Sequence, residues 1–311
     1  MLTRIQMSKF TNLDIDFDKE IAPLLKEVKK ATSNYTSKIV RFVIASALIV
    51  LVSYLLILYQ GLPQKTIIYA CLPIAFFALM TFIHKQKNNE NILKAHSLDV
   101  ILEKLNYTWG VSVIDDELIQ DSKLFPKYDY SESDDEFIGF EEGFFIAVSE
   151  LTLTSHTSVN AGDRYIDFSG LVLLYIFEEI QIEAEILLKP KKLLKLFTTP
   201  KGFEKLETKL NVSNKDFEFY TNDMQKAEEF LTPKLLEKLA KVQEYFSFSD
   251  VSCCIKGNYC LVALHTEQDY FKLTSFELEE FKNEFNILLK ELQNIRDFGK
   301  ELKEGFKPQL Q

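Results

Sequence analysis

Two stretches without a single charge limit this chain's fold more than any other feature: Phe42–Tyr59, FVIASALIVLVSYLLILY, and Thr66–Ile83, TIIYACLPIAFFALMTFI. Each holds 18 residues. At about 1.5 Å rise per residue such a helix spans roughly 27 Å, close to a bilayer's hydrocarbon core. Joined by QGLPQK, the two predict a transmembrane hairpin over residues 39–84. A secretory leader would place a shorter apolar run near the start, whereas polar and mixed sequence precedes Phe42 here. Pro73 removes one helix hydrogen bond inside the second span, which membrane helices tolerate as a kink. Lys29, Lys30, Lys38 and Arg41 precede the hairpin, Lys85 and Lys87 follow it, and the loop carries Lys65 alone. The positive-inside rule then places both termini in the cytoplasm.

Charge divides unevenly about this hairpin. Residues 1–94 carry 12 basic against 6 acidic side chains, and residues 95–311 carry 24 against 40. The acidic C-terminal part excludes nucleic acid as its natural partner, because phosphate binding needs a basic surface. It is also repelled by anionic lipid, which leaves the basic N-terminal part nearer the headgroups. Cys71 lies in the second span, and Cys253, Cys254 and Cys260 cluster in SCCIKGNYC. That spacing lacks the paired C-x-x-C of a metal site and reads as two strands around a Lys-Gly-Asn turn. Free thiols agree with a reducing cytoplasm.

Periodicity orders the rest. Residues 1–38 form a juxtamembrane segment in which Ile21, Leu24, Leu25 and Val28 share a helix face over 17–38. That helix either lies on the membrane surface or packs on the soluble domain. Residues 85–105 are a polar exit leading into a helix near 91–105, and 106–123 show no strong period. Strand patterns run from Glu136 to Leu188, with two strands meeting at the EEG of 141–143. RYIDFSGLVLLYIF (164–177) is a strand that Gly170 bends or bulges, and IQIEAEILL (180–188) alternates cleanly. After DFEFYT (216–221), Asp223 is placed to start a helix at Met224. Thr232 and Pro233 start the next, LTPKLLEKLAKVQEYF. A hairpin at about 247–253 with 259–265 precedes a last helix opened by a Thr274-to-Glu277 capping box. That helix carries Leu278, Phe281, Phe285, Leu288, Leu292 and Ile295 on one stripe. The expected architecture is α+β: a two-helix transmembrane hairpin, then a cytoplasmic domain over 106–303 with a mainly antiparallel sheet and packed helices, then a tail at 304–311.

LFPKYDYSESDDEFIGF (124–140) is the candidate site, a shaped loop entering the first hairpin. Asp129, Asp134, Asp135 and Glu136 are the candidate metal ligands, since closely spaced carboxylates suit Ca²⁺ or Mg²⁺. The Gly of an EF-hand is missing, with Asp134 in the sixth position. A solvated acidic loop anchored by its aromatics is the competing reading. Tyr128, Tyr130, Phe140 and Asp223 are the candidate recognition residues. The four histidines are scattered without ligand spacing, and G-x-S-x-G, Walker and G-x-G-x-x-G motifs are missing. No catalytic residue and no cofactor is assigned.

The hairpin, LFPKYDYSESDDEFIGF, SELTL (149–153), FSGLVLLYIF (168–177) and DFEFYTNDMQKAEEFLTPKLLEKL (216–239) occur in an order that resembles a family of bacterial membrane proteins, domain of unknown function 3137. The resemblance covers most of 95–290 and the hairpin. Where the family carries Gly-Glu-Asp after the aromatic-Asp, this chain has Ser133-Asp134-Asp135 or Asp134-Asp135-Glu136, while Gly139 is kept. It implies a two-span protein of the bacterial inner membrane and no activity. The expected function is a membrane-anchored binding or scaffold domain for a protein or peptide. The alternatives are a tethered metal-assisted hydrolase using 129–136 and a homo-oligomer built through the last helix.

Overall fold

A computed structural model of the chain describes residues 16–30, 41, 44, 80, 93–95, 97–156, 164–191, 199–212 and 215–306. They divide into two units. The first comprises 102–271 and 287–306, and the second comprises the described residues of 14–101 with 272–286.

Nine antiparallel strands build the first unit. They are β1 (Tyr107–Trp109), β2 (Tyr130–Glu141), β3 (Phe144–His156), β4 (Arg164–Phe177), β5 (Ile182–Pro190), β6 (Glu204–Val212), β7 (Lys215–Thr221), β8 (Asp250–Gly257) and β9 (Tyr259–His265). Their order across the sheet is β1-β2-β3-β4-β9-β8-β5-β7-β6. The helices are α1 (Asp116–Asp121), α2 (Met224–Phe230), α3 (Pro233–Ala240), α4 (Val242–Tyr245) and α5 (Leu278–Phe306). The α+β expectation therefore holds for the sheet. At the β8–β9 turn Gly257 takes φ +59° in a two-residue connection, the left-handed first position that type II′ hairpins give to glycine.

Residues 130–135, expected as loop, extend the strand expected from Glu136, so that β2 runs from Tyr130 to Glu141. Its pairing with β3 shifts between Asp134 and Phe137, and Asp135 takes φ +45° at that irregularity. Aspartate is among the few residues that tolerate this region, so no glycine is needed there. A bulge in β4 also falls elsewhere than expected: the extra residue is Asp167, opposite Leu153 and Thr154. Gly170 serves a close approach instead, because a Cβ there would lie 2.0 Å from the Leu264 carbonyl oxygen on β9. The LTPKLLEKLAKVQEYF helix is two helices, α3 and α4, separated at Lys241. Within the patternless 106–123 lie β1 and α1, the latter capped by Asp115 accepting from the Leu118 amide at 2.9 Å.

Both sheet faces are covered. On one, α5 presents Leu288, Leu292, Ile295, Phe298, Leu302 and Phe306, all buried. Each contributes about 1.5–3 kcal/mol of hydrophobic burial. The Tyr175 hydroxyl donates to the Ile295 carbonyl at 2.9 Å, and Phe306 meets the rings of Phe177 and Phe230. On the other face Ile114, Ile119 and Leu124 close over Ala147, Leu151, Phe168, Val172, Leu174, Leu187, Cys254 and Leu261.

In the second unit Phe17–Ile21 form a π-helical turn capped by Asp16, and residues 22–30 continue as an α-helix. Ile21, Leu25 and Val28 are buried, as the stripe predicted. Phe17 lies against Phe281 and Phe285 at centroid distances of 6.1 and 5.4 Å. The expected capping box is replaced. Glu284, not Glu277, receives the amides of Thr274 and Ser275 at 2.9 and 3.1 Å, and α5 starts only at Leu278. Apart from Ile44 and Met80, the two uncharged stretches lie outside the described residues. Among the described residues no helix is long and apolar enough to cross a membrane.

Candidate recognition surface

The acidic stretch does not converge on one point. The Asp129 carboxylate accepts from the His156 amide at 2.8 Å, and Asp134 accepts from the Asp135 amide at 3.0 Å. Asp135 is turned inward and buried, while Glu136 accepts from the Ser112 hydroxyl at 2.7 Å. Strand alternation and the bulge send neighbouring acids to different faces. Among the described residues no group of three His, Cys, Asp or Glu side chains is arranged to hold a metal ion.

The four recognition candidates have separate surroundings. Tyr128 lies against the core, and its hydroxyl donates to Asp116 at 2.9 Å. Burial and then that bond push its pKa up to about 12. Tyr130 is 44% exposed, edge-on to His156 with its hydroxyl 3.1 Å from Nε2. Asp223 caps α2, accepting from the Lys226 amide at 3.2 Å. Phe140 is 58% exposed, its ring edge-to-face with Phe145 at 4.9 Å.

Phe140 opens a row that sequence reading missed. It stands opposite Phe145 on β3, which stands opposite Ile176 on β4, which stands opposite Tyr259 on β9. Directly opposed residues share a face, so these four form an apolar line across four strands. Phe145, Ile176 and Tyr259 are half-buried, whereas the next row inward (Ala147, Leu174, Leu261 and Cys254) is closed over. Lys256, opposite Tyr259, ends the row and pairs with Asp121 at 2.6 Å. Exposed Glu142, Glu178 and Glu179 rim it at the β2–β3 and β4–β5 turns, which the Glu178 amide joins through the Gly143 carbonyl. In the sequence only alternation was visible. The register that aligns 140, 145, 176 and 259 depends on pairings up to 83 residues apart.

Two buried polar clusters were also missed. Glu291 on α5 accepts from the Phe271 amide at 2.9 Å and from Gln268 at 3.2 Å. Burial pushes its pKa up to about 7, with Asp269 and Asp135 adding to the rise. On the opposite face Lys189 is buried, donates to the Lys123 carbonyl at 2.5 Å, and is held down to about 8 by desolvation. Lys123 in turn pairs with the buried Glu185.

Residues 166–304 match a family described as protein of unknown function, DUF3137. Over these residues the chain is similar to that family. The match runs from β4 into α5, so FSGLVLLYIF and the Leu-Thr-Pro helix start fall inside it. LFPKYDYSESDDEFIGF and SELTL lie outside. The apolar row is accordingly built half from the DUF3137-like segment, through Ile176 and Tyr259, and half from the preceding β2–β3 hairpin. No curated protein and no solved structure matches the chain.

Proposed function

We propose that this chain is a membrane-anchored binding domain that recognises a protein or peptide through the exposed side of the β2–β3–β4–β9 sheet. The observation that carries the reading is the row Phe140, Phe145, Ile176 and Tyr259, in which Phe140 is exposed and the other three are half-buried beside a core closed on both faces. Contiguous exposed apolar side chains rimmed by charge are the usual sign of an interaction site. The dispersed acids give the hydrolase reading no such focus. Anchoring rests on the two uncharged 18-residue stretches, and their flanking lysines favour a domain facing the cytoplasm of a bacterial inner membrane. Photo-crosslinking in living cells from probes at Tyr130 and Phe140 tests it. A reproducible protein adduct is the expected result. Its absence from a folded, abundant protein would refute the reading.

The scaffold alternative needs a free apolar stripe on α5. Leu288, Leu292 and Ile295 are buried within the chain itself, so that stripe is already used.

A further inference from the structure

Resting on the recognition reading, we propose that the partner element is a basic amphipathic helix lying along the Phe140–Phe145–Ile176–Tyr259 row, at right angles to the strands. Three considerations select this occupant. The first is spacing. Four adjacent strands about 4.8 Å apart make a row about 14 Å long. A helix repeats its apolar stripe about every 5.4 Å, so each of three successive turns meets the next strand's side chain. The second is the character of the row: two phenylalanines in edge contact, an isoleucine and a tyrosine, all on one face and none wholly buried. Helix-in-groove recognition uses such anchors with flanking charge to set orientation.

The third is charge. Glu142, Glu178 and Glu179 are exposed along one side. Lys256 is offset by Asp121, and the Lys303 ammonium, which donates to the Glu142 carbonyl at 2.6 Å, leaves the three acids in excess. A second copy docked about a two-fold axis parallel to the strands would set these acids against one another. An anionic bilayer would be repelled by them. Lysine or arginine flanking the helix's apolar stripe removes that conflict and gives direction to the encounter.

The test uses the full-length chain and a Leu/Lys amphipathic peptide of about 16 residues carrying a central benzophenone, with attachment sites mapped by mass spectrometry. Attachment within residues 138–146 and 174–178 is expected. Phe140→Ser is expected to reduce it about tenfold, as loss of an aromatic anchor does. Glu178→Lys combined with Glu179→Lys is expected to reduce it several-fold, and a Leu/Glu counterpart should not attach. These side chains are solvent-facing, so the variants should unfold at the wild-type urea midpoint. Attachment indifferent to Phe140→Ser, or equal labelling by the Leu/Glu peptide, would overturn the proposal. The in-cell probes separate the two levels of the argument. Adducts from Phe140 without attachment of the Leu/Lys peptide would overturn the helix and leave recognition at the row standing, whereas silence from Phe140 would remove both.

Discussion

Gly299 offers a sharp test of how α5 is seated. A glycine inside a helix costs about 1 kcal/mol relative to alanine, so Gly299→Ala at a solvent-facing site would stabilise by that amount. Here a Cβ would fall 2.5 Å from Cε2 of Phe144 and 2.7 Å from Cε1 of Tyr175. Neither ring can retreat easily. Both are fully buried, and Tyr175 is tied to the Ile295 carbonyl. Overpacking of this kind costs about 1–3 kcal/mol, so it offsets the propensity gain and the net is a loss of up to about 2 kcal/mol. Gly305, six residues on, is the internal control. Its Cβ would meet the flexible Cδ1 of Leu235 at 3.0 Å and backbone and side-chain carbons at 3.3 Å. Small shifts absorb those contacts, so Gly305→Ala should be neutral or gain up to about 1 kcal/mol. Urea unfolding of the full-length chain can be followed by the fluorescence of Trp109, the sole tryptophan and part of β1. A Gly299→Ala variant more stable than wild type by about 1 kcal/mol would refute the seating of α5 on Phe144 and Tyr175.

Three other perturbations follow from the same structure. Glu291 has a folded-state pKa raised to about 7 from 4.5, so its contribution is fully present below 4.5 and is lost as pH rises through 7. Glu291→Gln should therefore be more stable than wild type at pH 8 by up to about 3 kcal/mol and near-neutral at pH 5. A pH-independent difference in urea midpoint would contradict that. Asp223→Ala should cost about 1 kcal/mol through lost capping of α2, and an unchanged midpoint would show that the cap contributes nothing. A reporter enzyme active only outside the cytoplasm, fused after residue 306, should stay silent, and activity would reverse the proposed topology.

Local chemistry was the legible part of the fold. Asp223 before Met224, Thr232-Pro233 before Leu235, and the 3-4 spacing of Phe281 through Ile295 each correspond to observed caps and buried positions. Hairpin turns at Gly143 and Gly257 were likewise written in the residues that tolerate positive φ. What failed depended on tertiary pairing. Four acids among Tyr130–Glu136 look like a loop, yet they sit on a strand because Glu150–Thr154 of β3 supply its partner. Glu277 looked like a capping-box residue, but Glu284, a further two turns along, takes the amides. For the site, Phe140 was visible as an aromatic among acids. Its neighbours Phe145, Ile176 and Tyr259 were not, since only the strand register brings them into line.

The central claim is that one continuous surface, spanning the β2–β3 hairpin and the DUF3137-like residues 166–304, receives one partner. Photo-crosslinkers placed singly at Phe140 and Ile176, two strands apart, test it most directly in living cells, with exposed Glu207 on β6 as the control position. The account predicts the same captured protein from Phe140 and Ile176 and nothing from Glu207. Different proteins at the two positions, or none from a folded and abundant chain, would contradict it.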